Sequence, residues 1–363
     1  MKARPSLLAL ALREPRSLPD WPMRDWELLI GQARRANLLS RLAVLLEDQG
    51  LLHAIAPAPR AHLEAARNLA RAQEEAVRRE VRFVCTALSR AGVEGILLKG
   101  AAYLYAALPA APGRLYSDVD LLVPRESLGA VEAALMLQGW TTTHHHPYDQ
   151  RYYRRWMHEL PPLQHATRLT VIDVHHAILP PTARAKPDSA KLWASSRPVP
   201  GVPPLRLLAP EDMVLHSATH LFFNEEFSHG LRDLTDIDSL LRRFALQPGF
   251  WNRLTARGVE LDLSRPLYYA LRYAKHLLAT PIPASALDGK AGGRPPALLR
   301  GVMDALFTRG LAPDHPSTTD AFTPLARHAL YLRAHWLRMP PLLLAYHLTH
   351  KALRAEEPQP VAR

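Results

Sequence analysis

Apolar residues recur at helical spacing through the first ninety positions of the chain. Between residues 21 and 46, Trp26, Leu28, Leu29, Ala33, Leu38, Leu39, Leu42 and Leu45 fall close to a 3.6-residue period. Pro57 and Pro59 punctuate this stretch. Residues 61–88 then run in Ala, Arg, Glu and Gln with no internal Gly or Pro, which predicts a helix ending near Gly92. At Val93 the pattern changes. Residues 93–99 form a short apolar run that reads as a buried strand, closed by Gly100, and residues 101–108 read as a helix. After a loop holding Pro109, Pro112 and Gly113, residues 117–123 read as a second strand, stopped by Pro124. Residues 126–138 predict a helix with Gly139 in the stop position. Residues 140–144, 152–157 and 163–166 are candidate strands, and residues 169–176 are another, rich in β-branched side chains. Strand, helix, strand, helix and then several strands predict an α+β core built on a mixed sheet.

Beyond the core the pattern is less regular. Residues 180–204 are rich in Pro, Ala and Ser and read as a connecting segment over the surface. Helical spacing returns over 213–223, 233–244, 267–278, 297–307 and 325–353. The expected organisation is an N-terminal helical region (1–90), an α/β core (91–180), a connecting segment (181–204), a C-terminal helical region (205–355) and a polar tail (356–363).

Composition narrows the class. At 363 residues and 48% hydrophobic content the chain can bury a sizeable core, in about two or three packed units. The one cysteine, Cys85, excludes an intramolecular disulfide framework and an all-cysteine zinc site, and fits a reducing cytoplasm as the expected location. The apolar run from Leu7 to Leu12 is short, ends at Arg13 and Glu14, and is not read as a signal peptide. No uncharged apolar stretch reaches the length of about 18 residues that a spanning helix needs. The net charge of +11 favours phosphate-bearing partners such as triphosphates. The arginines are scattered rather than striped, so a nucleic-acid partner is not favoured.

The chemistry concentrates at Ser117-Asp118-Val119-Asp120. Residues two apart on a strand share a face, so Asp118 and Asp120 project together and repel unless a cation lies between them. Magnesium takes one or two carboxylates together with substrate phosphates, and suits such a pair. The alternative is a solvated strand end. Upstream, Lys99-Gly100 stands between strand and helix, where a glycine lets backbone N–H groups approach a phosphate. Lys99 is placed to meet a phosphate or an aspartate, and Arg114 is a second candidate phosphate contact or an ordinary loop arginine. Downstream, Asp173 lies among apolar neighbours in Val171-Ile172-Asp173-Val174-His175. An isolated buried charge is costly, which makes Asp173 a candidate third metal ligand or general base, unless its strand faces water. His175 shares its face.

Other groupings carry less. His144, His145 and His146 cannot all face one ion, and with His158 and His165 they read as loop residues. His216 and His220, four apart on a helix, match a zinc-chelating spacing but read as packing residues. Asp233, Asp236 and Asp238 read as a solvated helix face, and the aromatic and arginine residues of 151–156 as an amphipathic strand, with base stacking as the alternative.

These blocks together resemble the uncharacterised nucleotidyltransferase family of bacterial proteins, within the polymerase-β-like superfamily: Leu98-Lys99-Gly100-Ala101, Arg114 to Pro124, Gly139-Trp140 and Ile172 to His176. The resemblance covers residues 90–180 and extends loosely into the helices beyond. It implies a nucleotidyltransferase-type mixed sheet flanked by helical regions. It also implies a two-metal reaction with Mg²⁺ or Mn²⁺ held by Asp118, Asp120 and Asp173, and a nucleoside triphosphate, ATP first, bound through Lys99, Gly100, Arg114 and Ser117. The nucleotidyl group would pass to a hydroxyl of an unidentified peptide, protein, sugar or small molecule with loss of pyrophosphate. One departure stands out. The superfamily carries Gly-Ser ahead of the aspartates where this chain has Gly100-Ala101, at a longer distance. This leaves a catalytically impaired nucleotide-binding or biosynthetic partner protein as the alternative.

Overall fold

The computed structural model describes residues 6–144, 146–288 and 293–340. His145, residues 341–353 of the last expected helix and the tail 356–363 lie outside them. The chain opens with four helices, α1 (Leu7–Arg13), α2 (Met23–Arg35), α3 (Leu39–Asp48) and the long α4 (Pro57–Ala91). The apolar period of 21–46 breaks between α2 and α3, where Asn37 takes a left-handed φ of 53°. In α4, Leu63, Ala70, Val77 and Val84 are buried at seven-residue intervals, with Val81 and Leu88 on the same stripe. Gly92, at φ 65°, caps the helix by donating to the carbonyls of Leu88 and Ser89.

The core follows as β1 (Gly95–Leu97), α5 (Lys99–Tyr105), β2 (Asp118–Leu122), α6 (Leu128–Met136), β3 (Trp140–Thr142), α7 (Pro147–Trp156), β4 (Leu163–His165) and β5 (Val171–His175). Next come α8 (Ser189–Ser195), β6 (Arg197–Pro198) and β7 (Leu205–Leu207). The seven strands form one mixed sheet in the order β3-β4-β5-β2-β1-β7-β6. β2 runs parallel to β5 and antiparallel to β1, while β7 pairs parallel with β1.

Two expectations are corrected. Residues 152–157 were expected as a strand but lie almost wholly in α7, because Tyr148, Tyr152 and Trp156 meet at four-residue spacing along a helix, the first pair stacked and the second edge-on. Residues 181–204 are more than a connector, since α8 and β6 fall within them and β6 pairs with β7 at the edge of the sheet.

Alternation along β2 separates two environments. A side chain at Gly95 would touch both Leu121 and Leu88, so Leu121 packs toward α4. Asp118 and Asp120 take the other face, toward the C-terminal helices α9 (Pro210–Phe223), α10 (Gly230–Phe244), α11 (Phe250–Glu260), α12 (Ser264–Leu278), α13 (Ala297–Gly310) and α14 (Thr323–Arg338). α9 is buried on nearly every side, as a helix must be when helices and sheet surround it. Its hydroxyl residue Ser217 hydrogen-bonds the Tyr103 hydroxyl of α5 at 2.6 Å. Apolar side chains from the N-terminal helices, the sheet and the C-terminal helices join in one continuous core. Among the described residues no helix is long and apolar enough to cross a membrane.

Candidate active site

β2 and β5 pair in parallel register with Asp120 opposite Asp173 and Asp118 opposite Val171. Directly opposed residues share a face, so the register brings the Asp173 carboxylate to the same side of the sheet as Asp118 and Asp120. Lys99, at the first position of α5, reaches Asp120 Oδ1 with its Nζ at 2.7 Å. His175, two residues along the same strand from Asp173, brings Nε2 to the same oxygen at 3.1 Å. The other ring nitrogen, Nδ1, stands 3.1 Å from Glu159 Oε2. Glu159 faces His175 across an antiparallel bridge and arrives from the chain segment after α7.

Electrostatics divide the acids into two kinds. Burial alone would raise the Asp120 carboxyl, but attraction to Lys99 and the hydrogen bond from His175 outweigh it and hold the group well below the usual range. Glu159 is likewise buried, yet the His175 hydrogen bond brings it down to about 2. Burial works against a charged His175, but its bonds to Asp120 and Glu159 prevail and push it up to about 10. Asp118 and Asp173 shift the other way. Burial, then repulsion from Asp120, raises Asp118. The same two causes push Asp173 up to about 7. Asp173 Oδ1 is buried and has no hydrogen-bond partner among the described residues.

That orphaned oxygen bears on the expected metal. Three carboxylates converging on one face, two of them raised by burial and mutual repulsion, form an all-oxygen donor set suited to a hard divalent cation. Donor type therefore suits Mg²⁺ or Mn²⁺ at Asp118, Asp120 and Asp173, while the described donor atoms that already lie within 4.8 Å of one another are those of His158, Glu159 and His175.

The carboxylates open into a cavity of about 260 Å³ lined by Lys99, Asp118, Asp173, Thr219, His220 and Asn224, among others. A neighbouring cavity of about 390 Å³ shares His220 and Asn224 with it, so a polar cleft continues from the acids toward Arg232 and Asp233. His216 and His220, expected as packing residues, both line the acidic cavity. Burial, followed by the nearby Lys99 charge, holds both imidazoles neutral, with His220 down to about 3.

The other sequence candidates take different places. Lys99 belongs to the helix and not to the strand, with a left-handed φ of 44°. Ser117 is exposed and its hydroxyl hydrogen-bonds Asp118. Arg114, a candidate phosphate contact, is buried and directs Nε to Asp236 Oδ2 at 2.9 Å. Gly100 is buried too, and a Cβ there would collide with the Arg114 guanidinium. Its lack of a side chain thus serves close packing against Arg114. Asp236 is no solvated residue, for it also holds Arg41 Nη2 at 3.0 Å. His165 packs edge-on against Trp140 and bonds the Gln138 carbonyl, a structural role.

Glu159 at this site was not found from the sequence, and His158 was read only as a loop residue. Their neighbours Leu160, Pro161 and Pro162 give no alternation, and only the bridge to His175 brings them in.

A family model described as an uncharacterised nucleotidyltransferase matches residues 22–279, a span that contains α2 to α12 and every residue of the acidic site named above. No curated protein and no solved structure matches the chain.

Proposed function

Since this chain belongs to the uncharacterised nucleotidyltransferase family, we propose that it is a metal-dependent enzyme that transfers a nucleoside monophosphate from a triphosphate to a hydroxyl of an acceptor, releasing pyrophosphate. The observation that carries this reading is the Asp120–Asp173 register, which gathers acids 53 positions apart onto one face beside Asp118. Bound at Asp118, Asp120 and Asp173, Mg²⁺ or Mn²⁺ would neutralise triphosphate charge and polarise the α-phosphate.

The chain's own groups supply the rest. Asp120 is held from two sides, by Lys99 from α5 and by His175 from β5, so its carboxylate keeps one orientation. Preorganised charges avoid reorganisation during the reaction. Asp173, whose Oδ1 is unpaired, is the carboxylate that takes the acceptor hydroxyl proton. The new bond joins the acceptor oxygen to the α-phosphorus while the bond to pyrophosphate breaks. Lys99 brings a part-buried ammonium to the acids, where it balances Asp120 and faces the triphosphate. ATP is the first donor to test, and the polar cleft past His220 is where the acceptor would lie.

The test incubates the full chain with α-labelled triphosphates, Mg²⁺ or Mn²⁺ and a panel of hydroxyl acceptors, and follows pyrophosphate release and label transfer. Asp118→Asn and Asp173→Asn are expected to lower turnover at least about 100-fold. Turnover unchanged by both substitutions refutes the reading. Triphosphate binding with no pyrophosphate release over the whole panel favours the impaired-enzyme alternative, for which Lys99 already occupying one Asp120 oxygen speaks.

A further inference from the structure

His158, Glu159 and His175 place one ligating atom each within 4.8 Å of one another, on the wall of the same cavity, with His175 in contact with Asp120. The backbone holds them there by strand-like pairing: Leu160 N–H donates to the Val174 carbonyl and His176 N–H to the His158 carbonyl, both at 2.8 Å. The rings of His158 and His175 lie 5.4 Å apart, tilted by 34°. His158 Nε2 is 3.9 Å from Glu159 Oε2, and His158 Nδ1 is buried without a hydrogen-bond partner among the described residues. Burial pushes this imidazole down to about 3, so it is neutral and its lone pair is available.

Donor chemistry separates this group from the aspartates. Two imidazoles and one carboxylate suit zinc and its neighbours, whereas an all-carboxylate set suits magnesium. His175 adds the feature that metal-bound histidines share. One ring nitrogen faces Glu159 and the other donates to the carboxylate of Asp120, which fixes ring orientation and tautomer.

We propose that His158, Glu159 and His175 form a second cation site, selective for a zinc-class divalent ion and joined to the catalytic acids through the His175–Asp120 hydrogen bond. The cation is held between His175 Nδ1 and Glu159 Oε2, now 3.1 Å apart, with His158 completing the set. The site does not depend on nucleotidyl transfer, and its readout is metal binding.

The experiment titrates Co²⁺ into the metal-stripped full chain in millimolar Mg²⁺, which fills the aspartate site, and follows visible d–d absorption and metal content by mass spectrometry. One Co²⁺ per chain, displaced by Zn²⁺, is expected. Removing an outer-shell partner of a metal-bound histidine costs about 10–100-fold in affinity, so the ligand changes His158→Asn and Glu159→Gln should cost at least about 100-fold. Asp120→Asn should fall in the 10–100-fold range, and Asp118→Asn should have no effect. Circular dichroism verifies that each variant is folded, and Glu159→Gln, which keeps the side-chain volume, decides the matter where His158→Asn does not fold. Absence of Co²⁺ uptake overturns the proposal, since the cluster is then a proton-sharing clamp. Uptake that survives Glu159→Gln but is lost in Asp118→Asn also overturns it, since the ion then sits on the aspartates.

Discussion

Replacing Asp236 by Asn separates two explanations of Arg114. The carboxylate sits on α10, 3% exposed, and accepts from Arg41 Nη2 at 3.0 Å and Arg114 Nε at 2.9 Å. Arg41 comes from α3 and Arg114 from the loop before β2, so this one group joins the N-terminal helices, the strand carrying the aspartates and the C-terminal helices. Arg41 also donates to the carbonyls of Pro109 and Ala110, tightening the same loop. Asn conserves shape but removes the charge and turns one acceptor oxygen into an N–H donor facing a guanidinium, leaving two buried guanidiniums without their shared carboxylate. Breaking a buried ion pair by removing one partner costs about 3–5 kcal/mol. For a chain of this size, at about 2 °C per kcal/mol, Tm should fall by roughly 6–10 °C. Thermal unfolding followed by circular dichroism measures this directly. The companion substitution Arg114→Lys keeps the positive charge but loses the planar fork, and should lower Tm while leaving triphosphate affinity unchanged. A Tm within about 2 °C of wild type for Asp236→Asn refutes the structural account. So does a loss of triphosphate affinity at unchanged Tm for Arg114→Lys, because Arg114 would then be a phosphate contact after all.

Gly100→Ala puts a Cβ against the Arg114 guanidinium and should destabilise by about 1–3 kcal/mol, read in urea unfolding. Glu80, 5% exposed on α4, accepts from Arg168 at 2.7 Å and Thr170 at 2.9 Å, so Glu80→Ala should cost about 1–3 kcal/mol and speed amide exchange in the turn between β4 and β5. Asp173 yields a pH effect with a definite sign. Its folded pKa, raised to about 7 by burial and then by Asp120, lies above the unfolded value near 3.8, so the folded state binds more protons in between. Stability without divalent metal should therefore fall as pH rises from about 4 to about 7, and pH-dependent melting should show Asp173→Asn removing most of that fall.

How much of this was legible in the sequence depends on what each residue answers to. The two aspartates of β2 and the one of β5 were readable because a short apolar strand makes any charge within it conspicuous. Their convergence was a matter of register, which the structure supplies by pairing Asp120 with Asp173. The strand expected over 152–157 failed because alternation and four-residue spacing coincide in a short aromatic segment. α11 was missed because its buried stripe, Phe250, Leu254 and Gly258, ends on a glycine, which reads as a break although it packs against Leu267. β6 and β7, at two and three residues, are too short to show any period. Arg114 and Asp236 each looked solvent-facing because their partner lies 122 positions away.

Charge balance in the cavity ties these observations to the chemistry. Three carboxylates line it, Asp118, Glu159 and Asp173, with the buried Asp120 behind them and Lys99 and a protonated His175 as the cations bonded to the acids. Lys99 satisfies Asp120, and His175 is divided between Asp120 and Glu159. Asp118 and Asp173 are then left without an ion-pair partner among the described residues, and both are raised by burial and repulsion. Two unneutralised carboxylates on one face amount to the charge that a single divalent cation would cancel. Lys99 holds its position at a left-handed φ of 44°, a conformation costing on the order of 1–3 kcal/mol in a non-glycine residue. From that strained position its ammonium reaches Asp120 and offsets one of the charges, which leaves the deficit at Asp118 and Asp173.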